Sequence, residues 1–201
     1  MNSIQQEDRE VIYQILSSLF YKPTEDSLQS LEILQEIFFE TDQDLYLLAS
    51  TLLKESKKKN IDSLTLDFGR LFVGSSRPLA SPYASIYLEG KWEVMGQSTI
   101  DTLQYYKEAG LEIKEGFHEL PDHIAVELEF IYYLIYKYLE EKDEKYLLSQ
   151  QKFVEKILNK WVPSFTKLIK EHAETDYYKF IGTLLEKWVE KDAKELQKIP
   201  L

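Results

Sequence analysis

At 201 residues with no cysteine, the chain can bury a real core but cannot form a disulfide scaffold, a thiol nucleophile, or a thiolate-bound zinc or iron–sulfur site. Seven glycines and six prolines are too few for a turn-rich sandwich or barrel, and 44% hydrophobic against 29% charged residues marks a folding chain. With 24 basic and 35 acidic residues the net charge is −11, which repels phosphate and argues against nucleic acid or anionic membrane as partner. That acidity serves solubility or attracts a basic partner. The start, Met1 to Asp8, is polar and acidic, opposite in sign to an export signal. No apolar run approaches the roughly 18 residues of a bilayer span. A cytoplasmic protein without stable membrane insertion is the expectation.

Helical periodicity runs through most of the chain. Val11, Ile12, Ile15, Leu16, Leu19 and Phe20 line one face of a first helix, with Ser3 and Gln6 spaced as a capping box and Pro23 as its stop. Thr24 opens a second, carrying Leu28, Leu31, Leu34 and Phe38. Thr41 with Asp44 opens a third through Leu45, Leu48, Leu52 and Leu53, which closes on Lys57-Lys58-Lys59, cations suited to a helix C-terminus. A fourth carries Leu64, Phe68, Leu71 and Phe72. Gly74, Pro78, Pro82, Gly90 and Gly96 then predict a long irregular loop over 73–96, the kind of segment that often carries function.

A helix resumes over Ser98–Ala109 and stops at Gly110. Residues 111–121 form a connector, and Pro121 is placed to start the next helix. From Ile124 to Tyr136 that helix is apolar nearly all round, interrupted only by Glu127 and Glu129, so it belongs inside a bundle. Leu147 to Trp161 is helical, Pro163 breaks it and starts another with Phe165, Leu168 and Ile169, and Asp176 caps a last helix through Trp188 and Val189. The expected class is all-α, a single helical bundle domain over 1–201, without internal repeat.

Neither of the glycine-rich phosphate-loop patterns nor Gly-x-Ser-x-Gly occurs. His118, Asp122, His123 and Glu127 lie close in sequence and open one reading, a small helical metal-dependent hydrolase, although the spacing matches no familiar zinc or di-iron pattern. In the other reading Asp122 and His123 occupy a first helical turn, where a carboxylate satisfies free N–H groups. Carboxylates on an apolar helix need a partner or water. Glu127 therefore caps a neighbouring element while Glu129 reaches solvent, or both belong to a site. Leu71, Phe72, Tyr83 and Tyr87 line a groove or plug the core beneath the loop. A generic helical adaptor is a further alternative.

Two segments carry a resemblance. Leu71-Phe72-Val73, then Pro78, then Pro82-Tyr83-Ala84-Ser85-Ile86-Tyr87 resembles the Leu-Phe … Pro-(Tyr/Trp)-x-Ser-(Val/Ile)-Tyr segment of the TorD/DmsD group, related to NarJ. Glu119-Leu120-Pro121-Asp122-His123-Ile124 is similar to its Glu-x-x-Asp-His hallmark. Trp161-Val162-Pro163-Ser164-Phe165 and Tyr178-x-x-x-Gly182-x-Leu184 suit its C-terminal helices, and Ser81-Pro82-Tyr83 stands where some relatives carry Pro-Pro-Trp. The resemblance implies a helical bundle with a hinge-like connector around 111–121. It implies a cytoplasmic chaperone, not an enzyme, that needs no cofactor. Its partners would be the twin-arginine signal peptide and the apo body of an exported molybdenum-cofactor oxidoreductase, held until the cofactor is inserted. The protein would be a monomer or a domain-swapped dimer. Leu71, Phe72, Pro82, Tyr83, Ser85 and Tyr87 on one side and Asp122, His123 and Glu127 on the other would frame the peptide, whose arginines pair with carboxylates.

Overall fold

Helix α1 (Gln6–Ser18) begins where the Gln5 N–H donates to Asp8 Oδ2 at 2.9 Å. The capping pair is therefore Gln5 with Asp8 rather than Ser3 with Gln6; Ser3 lies outside the residues that the computed structural model describes, which are 4–74, 77–90, 94–112, 114 and 119–199. Thr24 caps α2 (Glu25–Gln29), its hydroxyl accepting from Ser27 N at 3.2 Å. The expected second helix is divided at Ser30, whose hydroxyl donates to the Ser27 carbonyl at 2.8 Å and competes with the helical ladder. Helix α3 (Leu31–Thr41) follows. Thr41 ends it, back-bonded to the Ile37 carbonyl, and Asp42 rather than Thr41 caps α4 (Gln43–Lys58) by accepting from Leu45 N at 2.9 Å.

After α5 (Ile61–Phe68) the chain widens into a π-helical turn, Gly69–Val73, that turns Leu71 and Phe72 both inward. It ends at Gly74, where φ is +62° and a Cβ would lie 2.6 Å from the Arg77 and Pro78 backbone, so only glycine fits. The expected loop over 73–96 is broken by a short helix, α6 (Ala84–Leu88). Helix α7 (Gln97–Glu108) ends near Gly110, which adopts φ +80°. The connector 111–121 falls partly outside the described residues. Pro121 sits in a turn, its carbonyl accepting from Tyr106 at 2.7 Å, and α8 (Ile124–Glu141) starts later, behind His123.

Helix α9 (Glu144–Phe153) leads into a second π-turn, Val154–Leu158, and then α10 (Asn159–His172). The helix runs through Pro163 instead of stopping there, after the π-turn. Helix α11 (Asp176–Leu196) is capped by Thr175, one residue before the expected Asp176. Thr175 is itself anchored by buried Asp67, which accepts from its N–H at 2.8 Å and its hydroxyl at 2.7 Å.

Helix α8 packs on α1 and α9, α11 on α10 and α4, and α6 on α7 and α10. Ile124, Leu128, Ile131, Leu134 and Ile135 are fully buried along α8, as its apolar circumference requires, while Glu129 reaches solvent. The class is all-α: among the described residues there is no strand, only an isolated antiparallel bridge between Tyr83 and His123. No helix among them is long and apolar enough to cross a membrane. First and last helices are joined by a buried ion pair, Arg9 Nε to Asp192 Oδ1 at 2.6 Å.

Candidate functional site

The Tyr83–His123 bridge ties the two segments that the sequence singles out. Ala84 N donates to the Asp122 carbonyl at 2.9 Å and Ile124 N to the Pro82 carbonyl at 2.8 Å. The Asp122 side chain adds a third bond, accepting from Ser85 N at 2.9 Å. Asp122 thus satisfies the first amides of α6, not those of its own helix, and this is what makes a helix inside the expected loop. His123 caps α8, Nδ1 accepting from Ala125 N at 3.1 Å, so the neutral ring carries its proton on Nε2. Burial holds its pKa below the ordinary value, against the pull of Glu119 and Asp122.

Behind this wall lies Glu127, with no exposure. It accepts from Trp161 Nε1 at 2.9 Å and from the Thr102 hydroxyl at 3.4 Å, joining α8 to α10 and α7. Burial pushes its pKa well up, only partly offset by Trp161. Tyr87 stacks on Trp161, centroids 5.4 Å apart at 25°, and its hydroxyl donates to the Ser81 carbonyl.

In front of the wall is a cleft of about 620 Å³. Its aromatic floor comes from Phe20, Phe68 and Phe72, with Phe72 in edge-to-face contact with each of the other two. Pro82, Tyr83 and His123 form one side, and Tyr21 and Lys22, in the turn after α1, another. Val73, Pro78, Ile86 and Val94 add aliphatic surface, with Val73 64% and Val94 45% exposed. The His123 ring lies between two tyrosines, parallel to Tyr21 at 6.1 Å and edge-on to Tyr83 at 5.3 Å. Glu119 completes the lining and accepts from the Tyr83 hydroxyl at 3.2 Å. Burial, then the Glu119 charge, push the Tyr83 pKa up to about 12.

Of the nine residues expected at the site, Phe72, Pro82, Tyr83 and His123 line the cleft. Leu71, Ser85, Asp122 and Glu127 are wholly buried beneath it, and Tyr87 is half-buried against Trp161. Groove and plug are thus both present: Phe72 and Tyr83 line, Leu71 and Tyr87 fill. Phe20, Tyr21 and Lys22 escape a sequence reading because they stand at the end of an ordinary amphipathic helix, just before its proline stop. Among the described residues no group of three or more His, Asp or Glu is placed to hold a metal ion; His118 lies outside them.

Residues 37–167, more than half of the chain, match the family profile described as nitrate reductase delta subunit. The chain is 29% identical to a chaperone protein TorD from Shewanella pealeana, over 94% of this chain and 90% of that one. It is 28% identical to a chaperone protein TorD from Vibrio vulnificus, over 86% of each. Its fold matches a crystal structure described as a redox enzyme maturation protein from Archaeoglobus fulgidus, with TM-score 0.61 and 23% identity over 90% of this chain and 93% of that one.

Proposed function

The chain belongs to the nitrate reductase delta subunit family, and on that premise we propose that it is a redox-enzyme maturation chaperone rather than an enzyme. In this reading it works in the cytoplasm as one unit over residues 1–201. It takes the twin-arginine signal peptide, and the apo body, of an exported molybdenum-cofactor oxidoreductase, and holds them until the cofactor is in place. It needs no cofactor of its own, and acts as a monomer or a domain-swapped dimer. The observation that carries this reading is the cleft of about 620 Å³, whose floor is aromatic and whose wall is the joined Pro82–Ser85 and Asp122–Ile124 segments. Such a cleft suits the apolar middle of a signal peptide. The curated relatives named as TorD chaperones support it.

Leu71, Ser85, Tyr87, Asp122 and Glu127 enter this reading as the support that holds Phe72, Pro82, Tyr83 and His123 in place. The test is calorimetric titration with a twin-arginine peptide from a molybdoenzyme of the same organism. Tyr83→Ala should weaken binding by more than about 1 kcal/mol, as loss of an aromatic anchor does. A folded Tyr83→Ala variant that binds like the parent places the peptide elsewhere.

A further inference from the structure

A ligand with a basic start needs a carboxylate it can reach. Asp122 and Glu127, the acids that the sequence brings to mind, have no exposure. One oxygen of Asp122 holds Ser85 N, and its carbonyl holds Ala84 N. Glu127 is committed to Trp161 and Thr102. Asp122 Oδ1 takes no bond, but it is enclosed with the rest of the side chain, so a guanidinium reaches neither acid without opening the packing around it.

Glu119 is different. It lines the cleft and is half-buried, and the Tyr83 hydroxyl occupies Oε2 alone. A carboxylate offers about four lone-pair sites, enough to take a two-pronged guanidinium beside that bond. Close to it are the rings of Tyr83, joined through its hydroxyl, and, across His123, Tyr21. Cations are attracted to aromatic rings, arginine most often. Exposed Glu129 stands beside the Tyr21 hydroxyl and accepts from Ser17 at 3.2 Å, adding negative charge. Lys22 is the one cation lining the cleft among the described residues. Phe72, Val73, Pro78, Ile86 and Val94 offer no charge at all. The cleft thus presents one carboxylate and two tyrosines, with Lys22 next to Tyr21, alongside a larger uncharged surface.

We infer that Glu119 selects an arginine side chain of the bound peptide, with Tyr83 and Tyr21 flanking the guanidinium, while Asp122 and Glu127 only position the wall. The inference rests on the peptide-binding reading above and adds the peptide's direction: its arginines lie at Glu119, and its apolar stretch runs over Phe72 and Val94.

The test is a double-mutant cycle by calorimetry at low and high salt. Its arms are the parent and Glu119→Gln, each with the twin-arginine peptide and with the same peptide carrying lysines. Gln keeps an acceptor for Tyr83, so circular dichroism and melting should match the parent. Glu119→Gln should lose about five- to tenfold in affinity for the arginine peptide at low salt, and less at high salt. The lysine peptide should bind the parent more weakly than the arginine peptide does, and this preference should shrink in Glu119→Gln, because lysine lacks the fork. Glu119→Lys should restore uptake of a peptide whose arginines are changed to glutamate. A parent that takes up no peptide overturns this inference and the peptide-binding reading together. A parent that binds, with Glu119→Gln unchanged and an equal arginine preference in both proteins, overturns the assignment of Glu119 alone.

Discussion

Changing Asp192 to Asn should be among the costliest single substitutions in this chain. Asp192 is 2% exposed and Arg9 5%. The guanidinium donates Nε to Oδ1 at 2.6 Å and its second terminal nitrogen to Oδ2 at 2.8 Å, a two-pronged pair. Its other nitrogen donates to Gln6 and Gln150, and the Tyr13 hydroxyl donates to Asp192 at 2.7 Å. Burial works against the Arg9 charge, but Asp192 and Tyr13 together outweigh it and raise the pKa, so Arg9 cannot escape by losing its proton. Asn in place of Asp192 leaves a buried cation with no counter-charge, a loss of about 3–5 kcal/mol. Replacing both partners, Arg9→Met with Asp192→Leu, removes the charge along with its partner. That should cost about 1–2 kcal/mol, chiefly the orphaned Tyr13 hydroxyl and Gln150. Urea unfolding followed by circular dichroism reads the two costs from the midpoints at a common slope. A cost below about 1 kcal/mol for Asp192→Asn, or a double variant no more stable than the single one, would refute the reasoning.

Two other outcomes follow from the core. Leu128→Ala, in the fully buried stretch of α8, should lose about 2–5 kcal/mol in the same urea assay; a loss below about 0.5 kcal/mol would mean that α8 lies at the surface. Glu127 has its folded pKa raised, so the folded state binds a proton that the unfolded chain has released. Its contribution is full below the ordinary carboxylate pKa and is lost as pH rises toward the folded value. Glu127→Gln keeps an acceptor for Trp161 and has no proton to lose, so melting temperatures from pH 5 to 8 should fall less than in the parent; parallel pH profiles would contradict the assignment.

The all-α class was legible in the sequence because apolar spacing and scarce glycine act locally. Gly110 illustrates this: a glycine after a periodic run takes the left-handed turn expected of it. Boundaries were harder where two capable residues adjoin. Asp42 caps α4 in place of Thr41, and Thr175 caps α11 in place of Asp176, a choice made by Asp67 from over a hundred positions away. The same limit governs the site. Phe72, Pro82, Tyr83 and His123 stand in patterns that a reader can find. That Glu127 needs a buried partner follows from its apolar helix, but the partners of Glu127 and Asp122, Trp161 Nε1 and Ser85 N, cannot be found that way, because they come from remote segments and leave no local period. A charged residue in a string of letters suggests a surface. Here Asp122 and Glu127 are framework, and Tyr21, which no motif marks, is a cleft wall.

The three bonds that join Pro82–Ser85 to Asp122–Ile124 also have a kinetic meaning. A loop wall that must order itself around each arriving ligand slows association and charges its lost entropy against affinity. Here backbone pairing and a buried carboxylate order the wall through the chain's own bonds. Whatever enters this cleft meets one prepared face, and the entropy lost on binding falls chiefly on the incoming chain. Residence time should then track how much apolar length the visitor can lay against Phe72 and its neighbours, so that related visitors differ mainly in how fast they leave.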